Sequence, residues 1–82
     1  MAVAKTIYTV KPLDDERWAI EKKGAIRRSG VLDTRKDAIR RAKELALSDR
    51  GSGGVLLKIF DVRGKIEEEL EWGPTGKLRV HS

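Results

Sequence analysis

The sequence predicts an α+β domain in which one helix packs on one face of an antiparallel sheet, in the order β-β-β-α-β-β. Three observations carry that prediction. Apolar residues alternate with a period of two on both sides of the chain's middle. A single stretch from Thr34 repeats its apolar positions at helical spacing. The length of 82 residues allows one small domain with one core.

The first strand is "KTIYTV", rich in β-branched and aromatic residues and ended by Pro12, with "PLDDE" as a turn. "RWAIEK" is the second, and alternation puts Trp18 and Ile20 on one face. "KKG" is a tight turn into "AIRRSG", the expected third strand. Pairing Ile20 with Ile26 sets Trp18 opposite Arg28. Thr34 then caps a helix, with Asp37 at its third position as an acidic capping box. Ala38, Ile39, Ala42, Leu45 and Ala46 fall within an arc of about 120°, a one-sided apolar stripe. Its three alanines imply close approach to the sheet, so the strands and both tryptophans must supply the bulk of the core. The glycines of "DRGSGG" are expected to close the helix.

"VLLKIF-DVRG-KIEEELEW" reads as a hairpin. Pairing Ile59 with Ile66 sets Val55 opposite Leu70 and Lys58 opposite Glu67, so apolar meets apolar and opposite charges meet. That register leaves Glu68 on the inner face, where a bulge, an edge position or a partner such as Arg28 is required. One ordered unit is expected over about 5–72, with 73–82 a loop or flexible tail carrying at most one short strand.

Composition narrows function by exclusion. There is no cysteine, hence no disulfide and no cysteine-ligated zinc. No apolar run approaches the roughly 18 residues of a membrane span. The N-terminal "MAVAKTIYTV" has a lysine where a signal peptide needs an apolar core, so a cytoplasmic protein is expected. The single histidine, His81, stands next to the C-terminus, and no grouping of serine or threonine with a base for nucleophilic catalysis is visible. "GSGG" follows a helix and lacks the pattern of a phosphate loop. Glu67, Glu69 and Glu71 alternate onto one strand face and read as a solvated edge that discourages aggregation. No enzyme, metal, cofactor or small-molecule substrate is expected.

The charge is unevenly placed. The net +5 lies entirely in residues 1–50, with 13 Lys and Arg against 8 Asp and Glu; residues 51–82 carry 5 of each. Between Lys22 and Lys43 nine cations face two acids, Asp33 and Asp37. On the helix, Asp37–Arg41 and Arg40–Glu44 are spaced to pair and so to absorb two cations. The segment Lys22–Arg28 has four cations and no acid. A nucleic-acid surface needs several cations on one face, because each neutralised phosphate releases counterions. The candidate phosphate-binding residues are therefore Lys22, Lys23, Arg27 and Arg28, with Arg35 and Lys36 at the helix start. A solvated charged face explains the same residues, and Trp18 and Trp72 read either as core or as stacking platforms for bases.

"WAIEKKGAIRRSGVLDTRKDAIRRAKELA", followed after a short loop by "VLLKIFDVRGKI", resembles an uncharacterised family of small prokaryotic domains. Its members show a W-x-V strand, a glycine turn with basic residues, a T-[KR]-x-x-A helix start and a final hairpin around D-x-x-G or D-G-x-I. The likeness covers roughly Arg17 to Trp72, supports the order of elements and implies no activity. The first half, Trp18 to Leu47, is also similar to the arm-type DNA-binding domain of phage integrases. That resemblance implies a sheet that enters the DNA groove and a helix that braces it from behind. The DNA-facing residues would then be outward-pointing cations among Lys22, Lys23, Arg27 and Arg28. The two strands after the helix depart from that domain and either cover or extend its sheet.

Two functions follow as expectations. One is a non-enzymatic protein that contacts DNA or RNA phosphates. The other is an interaction module or homodimer that joins through a sheet edge, Lys65–Trp72 or Thr6–Val10.

Overall fold

The computed structural model describes residues 5–49, 53–73 and 78–81. Six strands, β1 (Thr6–Pro12), β2 (Trp18–Lys22), β3 (Gly30–Leu32), β4 (Val55–Phe60), β5 (Ile66–Trp72) and β6 (Leu78–His81), form one sheet in the order β3-β2-β1-β4-β5-β6. One helix, α1 (Arg35–Ser48), covers one of its faces. The α+β class and the single helix match the sequence reading. The short strand expected in the tail is β6, and 74–77 and 82 lie outside the described residues.

The sheet is mixed rather than wholly antiparallel. β1 and β4 run parallel, with Tyr8 beside Leu57 and Val10 beside Ile59. Parallel neighbours need a long crossover, and β2, β3 and α1 supply it. This pairing makes β4 and β5 an extension of the first three strands, not a cover over them. It also overturns the expected sheet edges. β1 is flanked by β2 and β4, and β5 by β4 and β6, so neither Thr6–Val10 nor Lys65–Trp72 is free to pair with a second chain. The edges are β3 and β6.

The third strand begins later than expected. Ile20 pairs with Gly30 and Trp18 with Leu32, leaving 23–29 as a loop. The expected register would place Arg28 opposite Trp18 on the helix-covered face, where a guanidinium loses its hydration. The observed one puts Leu32 there instead, packed against the core.

The second hairpin is also shifted. A bulge between Ile59 and Phe60 places Ile59 opposite Glu68, Lys58 opposite Glu69, Leu57 opposite Leu70 and Val55 opposite Trp72. One extra residue on β5 thereby brings both Leu70 and Trp72 against β4 on the inner face. Glu68 stays half-buried on that side, and Arg28 pairs elsewhere. The turn is built by Asp61, whose Oδ1 accepts from the backbone N–H of Arg63 and Lys65 at 2.9 and 3.0 Å. Those bonds hold the Asp61 carboxyl below its ordinary pKa.

Thr34 caps α1 as expected, its hydroxyl accepting from the Asp37 N–H at 3.1 Å. At the other end closure falls to Asp49, whose N–H bonds the carbonyls of Leu45 and Ala46. Of the glycine-rich stretch expected there, 50–52 lie outside the described residues. Ala38, Ala42 and Ala46 are fully buried against a wall of Tyr8, Val10, Trp18, Ile20, Leu57 and Trp72. Both tryptophans are core residues, and the stacking alternative falls.

Candidate functional site

With α1 on one face, no helix among the described residues covers the opposite face of the sheet. Onto it alternate Ile7, Thr9 and Lys11 from β1, Glu21 and the fully buried Ala19 from β2, and Leu56, Lys58 and Phe60 from β4. The loop 23–29 stands over one part of this face. It is tied at its base by Lys23 N–H to Ile7 O (2.9 Å) and Ser29 N–H to Ile20 O (2.7 Å), and it turns through Ala25 N–H to Lys22 O (3.0 Å). Between loop and sheet lies an open cleft of about 880 Å³. Ile7, Thr9, Glu21 and Lys58 form its floor, and Lys23, Arg27 and Arg28 stand on its wall.

The six candidate cations do not form one patch. Lys22 borders the cleft, but its side chain alternates onto the helix side, where its ammonium donates to Asp49 Oδ2 at 2.5 Å. Tyr8 Oη donates to the same oxygen at 3.0 Å, so Lys22 and Tyr8 together tie the helix C-terminus to β1 and β2. Arg35 lies at the far end of α1, about 21 Å away along the helix. Its guanidinium donates to Phe60 O (3.2 Å) and to Glu67 (3.0 Å), and sits 5.8 Å from the centre of the Trp18 ring. It anchors the helix start to the second hairpin, and Lys36 is exposed on the helix, across the sheet from the cleft. Local charge spacing cannot distinguish these roles, because the partners are up to 32 residues away.

Lys23, Arg27 and Arg28 are brought together, and Lys58 joins them from the floor. The sequence places Lys58 in a cross-strand charge pair with Glu67, and the observed register sets it opposite Glu69. The parallel β1–β4 contact is what moves it beside the loop, a long-range pairing with no local signal. The cleft's one acid is already engaged, because Glu21 forms an ion pair with Lys11 at 3.0 Å and accepts from Arg28 Nε at 3.4 Å. Lys23, Arg27 and Lys58 have no ion pair among the described residues. On the helix, Glu44 pairs with Arg41 at 3.3 Å rather than with Arg40.

Lys22, Asp49 and Tyr8 form one hydrogen-bonded titrating cluster. Hydrogen bonds from Lys22 and then from Tyr8 hold the Asp49 carboxyl below its ordinary pKa. The Tyr8 phenol is raised, first by burial and then by its bond to Asp49. A lowered carboxylate contributes stability above its unfolded pKa of about 4, and loses it as pH falls through the folded value. Replacing Asp49 by asparagine is therefore expected to lower the melting temperature at pH 7, with the gap to wild type closing below about pH 4. Thermal unfolding from pH 3 to 7 checks this, and a gap independent of pH contradicts it.

Among the described residues no helix is long and apolar enough to cross a membrane. The family model described as "Uncharacterized protein conserved in bacteria (DUF2188)" matches residues 7–71. That span runs from β1 into β5, taking in the loop, the helix and the second hairpin. No curated protein and no solved structure matches the chain.

Proposed function

The chain belongs to that uncharacterised bacterial family, and from this premise we propose that it is a non-enzymatic binding protein of the cytoplasm whose cleft contacts nucleic-acid phosphates. The observation that carries the reading is the gathering of Lys23, Arg27 and Arg28 over Lys58, around a single acid already shared by two cations. Cations gathered around one cleft repel one another, and an anion placed among them relieves that repulsion. The helix braces the sheet from the face opposite the cleft, the arrangement that the resemblance to the arm-type domain implies. Binding by phosphate contacts carries little sequence information, so weak base preference accompanies it.

Titration of labelled DNA and RNA at several salt concentrations tests the reading. Contacts by these four cations predict that log K falls against log [salt] with a slope of roughly −3 to −4. Changing Lys23, Arg27, Arg28 and Lys58 together to glutamine should remove most of that slope. The pair Lys36→Gln and Arg40→Gln should leave it nearly unchanged. Absence of binding at low salt, or loss of the slope in the helix pair alone, refutes the cleft as the site.

A further inference from the structure

We infer that the cleft prefers unpaired nucleic acid to a duplex, a deepening that rests on the phosphate-binding reading. The key residue is Ile26 on the wall loop. Its exposure is 102%, the highest of the large apolar side chains exposed among the described residues. It stands next to Arg27 and Arg28 and lines the same cleft, whose floor includes Ile7. An isoleucine held fully in water contributes nothing to the core, yet here it lies among the cations that would hold a phosphate chain.

Phosphates are common to single strands and duplexes, so the cations alone do not discriminate between them. Apolar contacts do. In a duplex the flat faces of the bases are stacked on one another and only their edges reach the grooves. A single strand exposes those faces, and proteins that bind it combine a cationic track with aromatic side chains on which the bases stack; an exposed aliphatic side chain offers the same faces an apolar contact. The cleft has that mixed character, with Ile7 below, Ile26 above, and Lys23, Arg27 and Lys58 around them. With both tryptophans buried, the apolar contact falls to the isoleucines.

A labelled mixed-sequence single strand is compared with the same strand annealed to its complement, at two salt concentrations, for wild type and Ile26→Ser. The single strand is expected to bind more tightly. Ile26→Ser should weaken single-strand binding roughly five- to tenfold without changing the salt slope, while duplex binding stays nearly the same. Since Ile26 is fully exposed, the variant should keep the wild-type circular dichroism and melting temperature. Equal or tighter duplex binding overturns the preference and leaves phosphate binding standing, as does an Ile26→Ser variant with unchanged single-strand affinity. Absence of salt-sensitive binding to either probe removes both readings. Ile26-dependent association with phosphatidylserine vesicles, without oligonucleotide binding, also overturns the inference.

Discussion

Replacing Leu57 by alanine is expected to remove about 3–4 kcal/mol of stability. Leu57 is fully buried at the centre of β4, flanked in the sheet by Tyr8 and Leu70. Across the layer the helix contributes Ala38, Ala42 and Ala46, and a methyl group cannot swing into the space a lost isobutyl group leaves. The cost therefore sits in the upper range for such truncations, where the cavity persists. A domain of 82 residues has a total stability of roughly 4–12 kcal/mol. The midpoint of urea unfolding should fall sharply, and the melting temperature by about 15 °C or more. A loss below 1 kcal/mol means that the helix does not seat against β4 as described.

Gly54→Ala is expected to cost about 3 kcal/mol, from two sources that add. Gly54 has φ of +80°, which a residue with a Cβ adopts only under strain. The added Cβ also meets Trp72 O at 2.6 Å and Gly73 Cα at 3.3 Å, and both are backbone atoms that no rotamer change can clear. Relief requires β4 and β5 to part at Trp72, where the sheet meets the core. The strain also reaches β1, because Gly54 O accepts from Thr6 N–H at 3.2 Å. Gly64→Ala is the matched control: φ is +83°, but nothing lies within 4 Å of the added Cβ. It should cost only about 1–2 kcal/mol. Equal losses at the two sites in urea unfolding mean that the backbone angle, not the contact with Trp72, accounts for the effect.

Much of this architecture is legible in local chemistry. Thr34 and Asp37 mark the helix start, and the alanine stripe announces its close packing. Trp18 and Ile20 share a face because strands alternate. The two misplaced registers have a common cause. In the first hairpin the apolar match of Ile20 with Ile26 was as good locally as Ile20 with Gly30. Only the need to seat Leu32, and to keep Arg28 out of the helix-covered layer, separates them. In the second, two one-residue steps, pairing that starts at Phe60 with Ile66 and the bulge beside it, move Leu70 from Val55 to Leu57, and the packing under Trp72 selects that register.

The candidate site divides in the same way. Its charge and its place in "KKGAIRR" were visible as a run of four cations in seven residues. Capping, alternation and charge are properties of neighbouring residues, so the chain's own order specifies an α+β domain with one amphipathic helix and a basic segment before it, while the burial of both tryptophans emerges only on folding. Tertiary structure alone decided that β1 and β4 run side by side. That contact made β1 an interior strand, set Lys58 beneath the loop, and diverted Lys22 and Arg35 to fasten the two ends of the helix. Such roles depend on partners 25 to 32 residues away, which chain-local patterns do not encode.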